Sequence, residues 1–215
     1  MSSLSPQALD LAAQFAESYI ADSPEALLAR QASRDLGIEP ISAGTARFLT
    51  LLTRLINAQA VAEIGTGAAV SALAFFSGMS DDAVVTSVDR EAEHQAAARE
   101  ALKAAKISHT RYRLITGEAL IVLPKLRAQA YDIVFIDADP MEYPEYFEEA
   151  LRIVRPGGLV IVNHVLAQGK VADPTNFDDD TMIIRDTIEA ARSMDDLTCA
   201  VVPVGDGLLV CVTAS

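Results

Sequence analysis

Over the first sixty residues, apolar positions recur at helical spacing. Leu9, Ala12, Ala13, Phe15, Ala16, Tyr19 and Ile20 predict a helix that starts at Pro6. Ser23-Pro24 caps a second helix that runs through Arg34 and ends at Gly37. A third spans about Ala43 to Asn57, after the loop Ile38–Ser42. From Ala60 the period changes. Short Val/Ile-rich runs at Val61–Ile64, Val84–Val88, Tyr112–Ile115, Ile133–Ile136 and Leu159–Val162 read as strands. Between them lie helical stretches from Val70, over Glu91–Lys106, over Glu118–Arg127 and around Tyr143–Val154, the last followed by the turn Arg155-Pro156-Gly157-Gly158. This alternation predicts a parallel sheet covered by helices on both faces. The end breaks the rhythm. After a helix around Asp180–Met194, strands Thr198–Val204 and Leu208–Thr213 meet at Gly205-Asp206-Gly207, a hairpin that puts an antiparallel strand into the sheet.

Length and charge narrow the function classes. A chain of 215 residues is expected to form one domain, with 1–58 a helical extension and 59–215 the α/β core. With 51% hydrophobic and 22% charged residues it reads as globular. Thirty acidic against 17 basic side chains give a net charge of −13, which disfavours nucleic acid and anionic membranes and points to a small-molecule substrate. Arg111 and Arg113 are expected at a solvated strand edge. The longest uncharged stretch, Ile64–Ser80, is too short and too polar to span a bilayer. No leader pattern is seen from Met1 to Pro6, so the expected compartment is the cytoplasm. Cys199 and Cys211 fall on the paired terminal strands and are expected as buried free thiols, as is usual in that compartment. Asp178-Asp179-Asp180 reads as a solvated helix cap.

The candidate chemistry begins at Val61-Ala62-Glu63-Ile64-Gly65-Thr66-Gly67-Ala68-Ala69-Val70-Ser71, a strand, a glycine turn and a helix start. Such a turn brings backbone N–H groups close to a ligand. Asp89, at the end of the second strand, is placed to hold ribose hydroxyls, and it can also cap the following helix. Val70 occupies the position where a dinucleotide site wants Gly or Ala, and Glu63 would repel a pyrophosphate. The same carboxylate suits the ammonium and ribose end of S-adenosylmethionine. Glu118, within Gly117-Glu118-Ala119, could accept from an adenine amine or simply favour its helix dipole. Together these features favour S-adenosylmethionine over NAD.

Several motifs then carry a resemblance. Glu63-Ile-Gly-Thr-Gly67, Phe135-Ile-Asp-Ala-Asp139, Tyr143-x-x-Tyr146-Phe147, Arg155-Pro-Gly-Gly158, Gly169-Lys-Val-Ala-Asp-Pro174 and Pro203-Val-Gly-Asp-Gly-Leu208 resemble the catechol and caffeoyl-coenzyme A O-methyltransferases over the whole chain. The resemblance implies a Rossmann-like seven-stranded methyltransferase sheet, methyl transfer to a hydroxyl of a small, usually aromatic molecule, and a homodimer. It further implies that Ser71 helps to hold the methionine carboxylate, that Ser42 borders the cofactor, and that Tyr143 or Tyr146 touches it. The expected cofactor-binding set is Ser42, Glu63, Gly65, Thr66, Gly67, Ser71, Asp89, Arg90, Gly117, Glu118, Ala119, Asp137 and Tyr146.

Departures from the family pattern concentrate at the reacting end. The family normally supplies an Asp from Asp-Ala-Asp and a later Asp-Asn pair to a divalent metal, with a lysine after Asp-Ala-Asp as base. Here Asp137 is present, the later pair is Asn163-His164, Pro140 occupies the lysine position, and Ala167 replaces a usual tryptophan. One carboxylate instead of two weakens a magnesium site, and an imidazole shifts preference toward softer metals. Three readings remain open. In the preferred one, an O-methyltransferase without the usual magnesium site uses His164 as general base alongside Asp137. In the second, Asp137, Asn163 and His164 hold an altered metal. In the third, the protein binds S-adenosylmethionine without this catalysis. Methylation of a tRNA base hydroxyl is disfavoured by the charge.

Overall fold

The computed structural model describes residues 5–214; Met1–Leu4, the start of the segment in which no leader pattern is seen, and Ser215 lie outside the described residues. Three helices come first, α1 (Pro6–Ser18), α2 (Pro24–Asp35) and α3 (Ala43–Leu55). Ser5, Ser23 and Ser42 each cap one of them, accepting the N–H of the residue three positions on. The alternating part follows: β1 (Ala60–Ile64), α4 (Val70–Gly78), β2 (Val84–Asp89), α5 (Ala92–Ala104), β3 (Tyr112–Thr116), α6 (Ala119–Val122), β4 (Tyr131–Ile136), α7 (Tyr143–Ile153) and β5 (Val154–Val162). Then come α8 (Asp179–Arg192), β6 (Leu197–Val202) and β7 (Leu208–Thr213).

The seven strands lie in the order β3-β2-β1-β4-β5-β7-β6. Neighbours from β3 to β5 are parallel, and β7 runs antiparallel to both β5 and β6. The expected hairpin is therefore the device that reverses one strand. Strand alternation sorts the core into two layers. Val61, Val85, Ile133, Phe135, Leu159 and Ile161 join one cluster with α3, α4 and α5, where Phe75 and Phe135 meet edge to face at 5.7 Å. Ala62, Ile64, Val88, Val134, Ile136, Val160 and Val162 join the other, with α6, α7 and α8. Both faces are buried, which is why these strands read as unbroken apolar runs.

Four expectations need correction. The segment Arg155–Gly158 is not a turn before the fifth strand. It lies within β5, where the register slips between Tyr131↔Val154 and Ile133↔Leu159. Gly158 is needed there because a Cβ would come within 2.9 Å of the Asp132 carbonyl oxygen. The helix expected over Glu118–Arg127 is a single α turn continued by a 3-10 turn at Leu123–Lys125, because Pro124 cannot extend the helix. Arg111 is no solvated edge residue. Its guanidinium lies 5.0 Å over the Phe76 ring and donates to the Ala83 carbonyl at 3.2 Å. Cys199 and Cys211 are joined as a disulfide rather than free, since the β6–β7 register sets them directly opposite with Cα atoms 4.1 Å apart.

Asp178 stands exposed at the N-cap position of α8, but its side chain pairs with Lys170 at 3.0 Å and makes no capping hydrogen bond. No helix among the described residues is long and apolar enough to cross a membrane.

Candidate active site

The crossover between β1 and β4 opens at the carboxyl ends of the strands, where a doubly wound sheet places its ligand. A cavity of about 470 Å³ lies there, within the usual range of roughly 300–1,000 Å³ for small-molecule sites. Its floor is the glycine turn. Gly65 has φ +91, and a Cβ on it would stand 1.9 Å from the carbonyl oxygen of Asp137. Gly67 (φ +49) is less crowded, its nearest neighbour at 3.9 Å being Ile38. Ala69, also left-handed, turns the chain into α4.

Asp89 stabilises this turn. One carboxylate oxygen accepts the N–H groups of Thr66 (3.0 Å) and Gly67 (3.1 Å), and the other accepts that of Glu91 (2.9 Å). His94 Nδ1 lies 3.1 Å from both oxygens. Of the expected cofactor-binding residues, Gly65, Thr66, Gly67, Ser71, Asp89, Arg90, Gly117, Glu118, Ala119, Asp137 and Tyr146 all line the cavity.

Glu63 and Ser42 do not. Glu63 is fully buried beneath the turn, where its carboxyl accepts the hydroxyls of Ser71 and Ser87. It therefore props the turn from below and does not line the cavity. Burial pushes its pKa up to about 8, despite those two hydrogen bonds, with help from the nearby Asp137 and Asp89 charges. The network continues from Ser87 to Thr66 and on to the Gln95 amide. Ser42 caps α3 and donates to Glu17 at 2.8 Å, and Glu17 in turn accepts the Gly205 N–H at 3.3 Å. It supports the terminal hairpin from behind.

Sequence reasoning missed His94 and the wall formed by Ser33 and Ile38–Ile41. The signal for His94 was its place in the first turn of the helix that follows Asp89. The wall left no signal, because its residues come from the N-terminal helices and fold over the cavity only in three dimensions.

At the reacting end, Asp137 closes β4 on the cavity wall. Burial raises its pKa, against the lowering effects of His164 and the Asn163 amide. Asn163 Nδ2 donates to Asp137 Oδ1 at 2.9 Å. His164 follows in a left-handed conformation (φ +56), outside the cavity wall, with Nε2 3.7 Å from Asp137 Oδ1 and Nδ1 3.3 Å from Asp206 Oδ2. Of the two tyrosines, Tyr146 lines the cavity, whereas Tyr143 is fully buried and donates to the Asn163 carbonyl at 3.0 Å. Tyr146 hydrogen-bonds Glu142 on the cavity side, and Asp139 caps the turn Pro140–Glu142.

A magnesium site does not fit this donor set. Magnesium wants hard oxygen ligands, usually carboxylates. Here the one carboxylate is engaged by an amide N–H and flanked by an imidazole. No group of three His, Cys, Asp or Glu able to hold a metal exists among the described residues.

Comparison with known proteins agrees with the fold and gives the family. Residues 19–214 match the family model described as O-methyltransferase. A Mycobacterium avium relative that carries an O-methyltransferase name is 40% identical over 197 residues, covering 92% of this chain and 89% of its own. A Corynebacterium glutamicum protein of known structure superposes with a TM-score of 0.90 at 27% identity, covering 97% and 98% of the two chains. The Streptomyces achromogenes O-methyltransferase TomG, involved in tomaymycin synthesis and solved with S-adenosylmethionine, gives 0.85 at 27%, covering 96% of each chain. A Bacillus cereus O-methyltransferase solved with S-adenosylhomocysteine gives 0.85 at 26%, covering 94% and 97%. The glycine turn, the seven-stranded sheet with its reversed β7 and these matches lead to one conclusion: the chain belongs to the family of S-adenosylmethionine-dependent O-methyltransferases.

Proposed function

We propose that this enzyme methylates a hydroxyl of a small aromatic molecule with His164 as general base, and without the family's usual magnesium site. The observation that carries the reading is the arrangement at the end of β4 and β5. Asp137 faces the cavity with Asn163 bonded to it, and His164 Nε2 sits 3.7 Å away with no hydrogen bond of its own to that carboxylate.

The cavity residues suit S-adenosylmethionine, which when bound supplies an electrophilic methyl on a sulfonium. Gly65 and Gly67 let the backbone approach the ligand closely, Asp89, which holds the Thr66 and Gly67 N–H groups, faces the ribose position, Glu118 the adenine, and Ser71 the carboxylate end. Several carboxylates on the wall, among them Asp89, Glu118, Asp137 and Asp139, favour a cationic ligand. His164 takes the hydroxyl proton as the oxygen bonds to the methyl carbon and the sulfonium–methyl bond breaks, leaving a neutral thioether and an imidazolium that returns its proton to water. Asp137, beside the reacting hydroxyl, steadies the developing charge on His164.

The enzyme acts as a homodimer in the cytoplasm in this reading, as one domain, and takes no nucleic acid. Support for the dimer comes from the N-terminal helices, which leave Phe15, Tyr19, Leu28 and Leu55 more than half exposed. The experiment is a thermal-shift titration with S-adenosylmethionine followed by a phenol and catechol panel with methyl-labelled cofactor. Wild type should be stabilised and should label an acceptor, and Asp89→Ala should abolish the shift. A shift without any labelling would make the chain a binding protein instead.

A further inference from the structure

A histidine can take a proton on Nε2 only if its own proton sits on Nδ1. Which tautomer a neutral imidazole adopts is set by the partner of its other nitrogen. His164 Nδ1 faces Asp206 Oδ2 at 3.3 Å, across 42 residues of sequence, and an ionised carboxylate can only accept. We propose that Asp206 is the positioning residue for His164. It holds the imidazole as the Nδ1–H tautomer, with the Nε2 lone pair directed to the Asp137 side of the cavity. The inference rests on the reading of His164 as base and adds a residue to it.

The surroundings are built for this contact. Asp206 sits at the tip of the β6–β7 connection between Gly205 (φ +57) and Gly207 (φ +85). Its second oxygen, Oδ1, accepts the Gln168 N–H at 2.7 Å, and its backbone carbonyl accepts that of Leu166 at 2.9 Å. Gly207 O accepts the Val165 N–H at 3.2 Å. The segment after β5 thus hangs from one aspartate and its neighbour. It needs that support, because His164, Ala167 and Gln168 are all non-glycine residues in the left-handed region (φ +56, +47 and +56). Strain of this kind persists where surrounding contacts hold it, and it clusters at functional sites. Glu17 secures the hairpin from the far side through the Gly205 N–H. The other carboxylate facing the ring, Asp137 Oδ1, lies beyond hydrogen-bond distance of Nε2 at 3.7 Å and leaves that nitrogen free.

The test is ring-nitrogen NMR of the full chain saturated with S-adenosylhomocysteine, together with Asp206→Asn. The three histidines are assigned with His164→Gln. In wild type the neutral His164 ring should show the Nδ1–H tautomer. Asp206→Asn keeps an acceptor for Gln168 but turns an amide N–H toward Nδ1, so the ring should switch to Nε2–H. Turnover of the panel acceptor should then fall roughly 10²–10⁴-fold in kcat, with KM for S-adenosylmethionine and the melting temperature nearly unchanged. An Nε2–H ring in wild type, or a tautomer indifferent to Asp206→Asn, overturns the proposal. Failure of the base reading looks different: His164→Gln would keep full turnover.

Discussion

Gly65 and the carbonyl of Asp137 touch so closely that no other residue can stand at position 65. A Cβ there would lie 1.9 Å from the Asp137 oxygen, and the Asp137 N–H is itself bonded to Ile64 O at 2.8 Å. The cofactor turn and the reacting end of the site are thus one piece of backbone. Gly65→Ala should cost about 3 kcal/mol or more, since both the φ of +91 and the overlap must be relieved. Gly67→Ala meets only Ile38, at 3.9 Å, and should cost about 1–2 kcal/mol from its left-handed backbone alone. Melting curves of the two variants test the contrast, and equal losses would refute it.

Glu63 predicts an unusual pH response. Burial lifts its pKa from the ordinary 4.5 to about 8, so the fold prefers the protonated carboxyl. The stability this group contributes is fully present below pH 4.5 and is lost as pH rises toward about 8. Glu63→Gln keeps a neutral side chain of the same shape and removes this dependence. Denaturant unfolding without cofactor should show the variant gaining on wild type across that window, by a few kcal/mol at most. Parallel curves would show that Glu63 is ionised in the fold.

The disulfide closes a separation of 12 residues between adjacent antiparallel strands. Reduction by a dithiol should lower stability by about 3 kcal/mol on the chain-entropy account, seen as a lower melting temperature. Intact mass under non-reducing conditions reports the bond directly. Two free thiols in freshly purified protein would refute it.

The legible part of the molecule was the part written in local pattern. Apolar runs such as Ile133–Ile136 gave the strands because both sheet faces are buried, and the hairpin at Gly205–Gly207 gave the reversed strand. The cavity-lining turn and Asp89 followed from their position at strand ends. Glu63 was misplaced because its type and spacing suit a ligand equally well, and only the burial between Ser71 and Ser87 shows it facing inward. The cysteine pairing depended on register, which two strand spans alone leave open to a one-residue slip. Asp206 was visible as a turn residue, but its contact with His164 spans 42 residues, and no local signal links them.

In the proposed function His164 performs the proton transfer, at a site that does not use magnesium in the family's usual way. The most direct measurement is methyl transfer to an active panel acceptor after chelator treatment, with and without added magnesium, for wild type and His164→Gln. Wild-type turnover should be unaffected by chelator or magnesium, and His164→Gln should lose about 10²–10⁴-fold. Turnover abolished by chelator and restored by magnesium, with His164→Gln as active as wild type, would contradict that function.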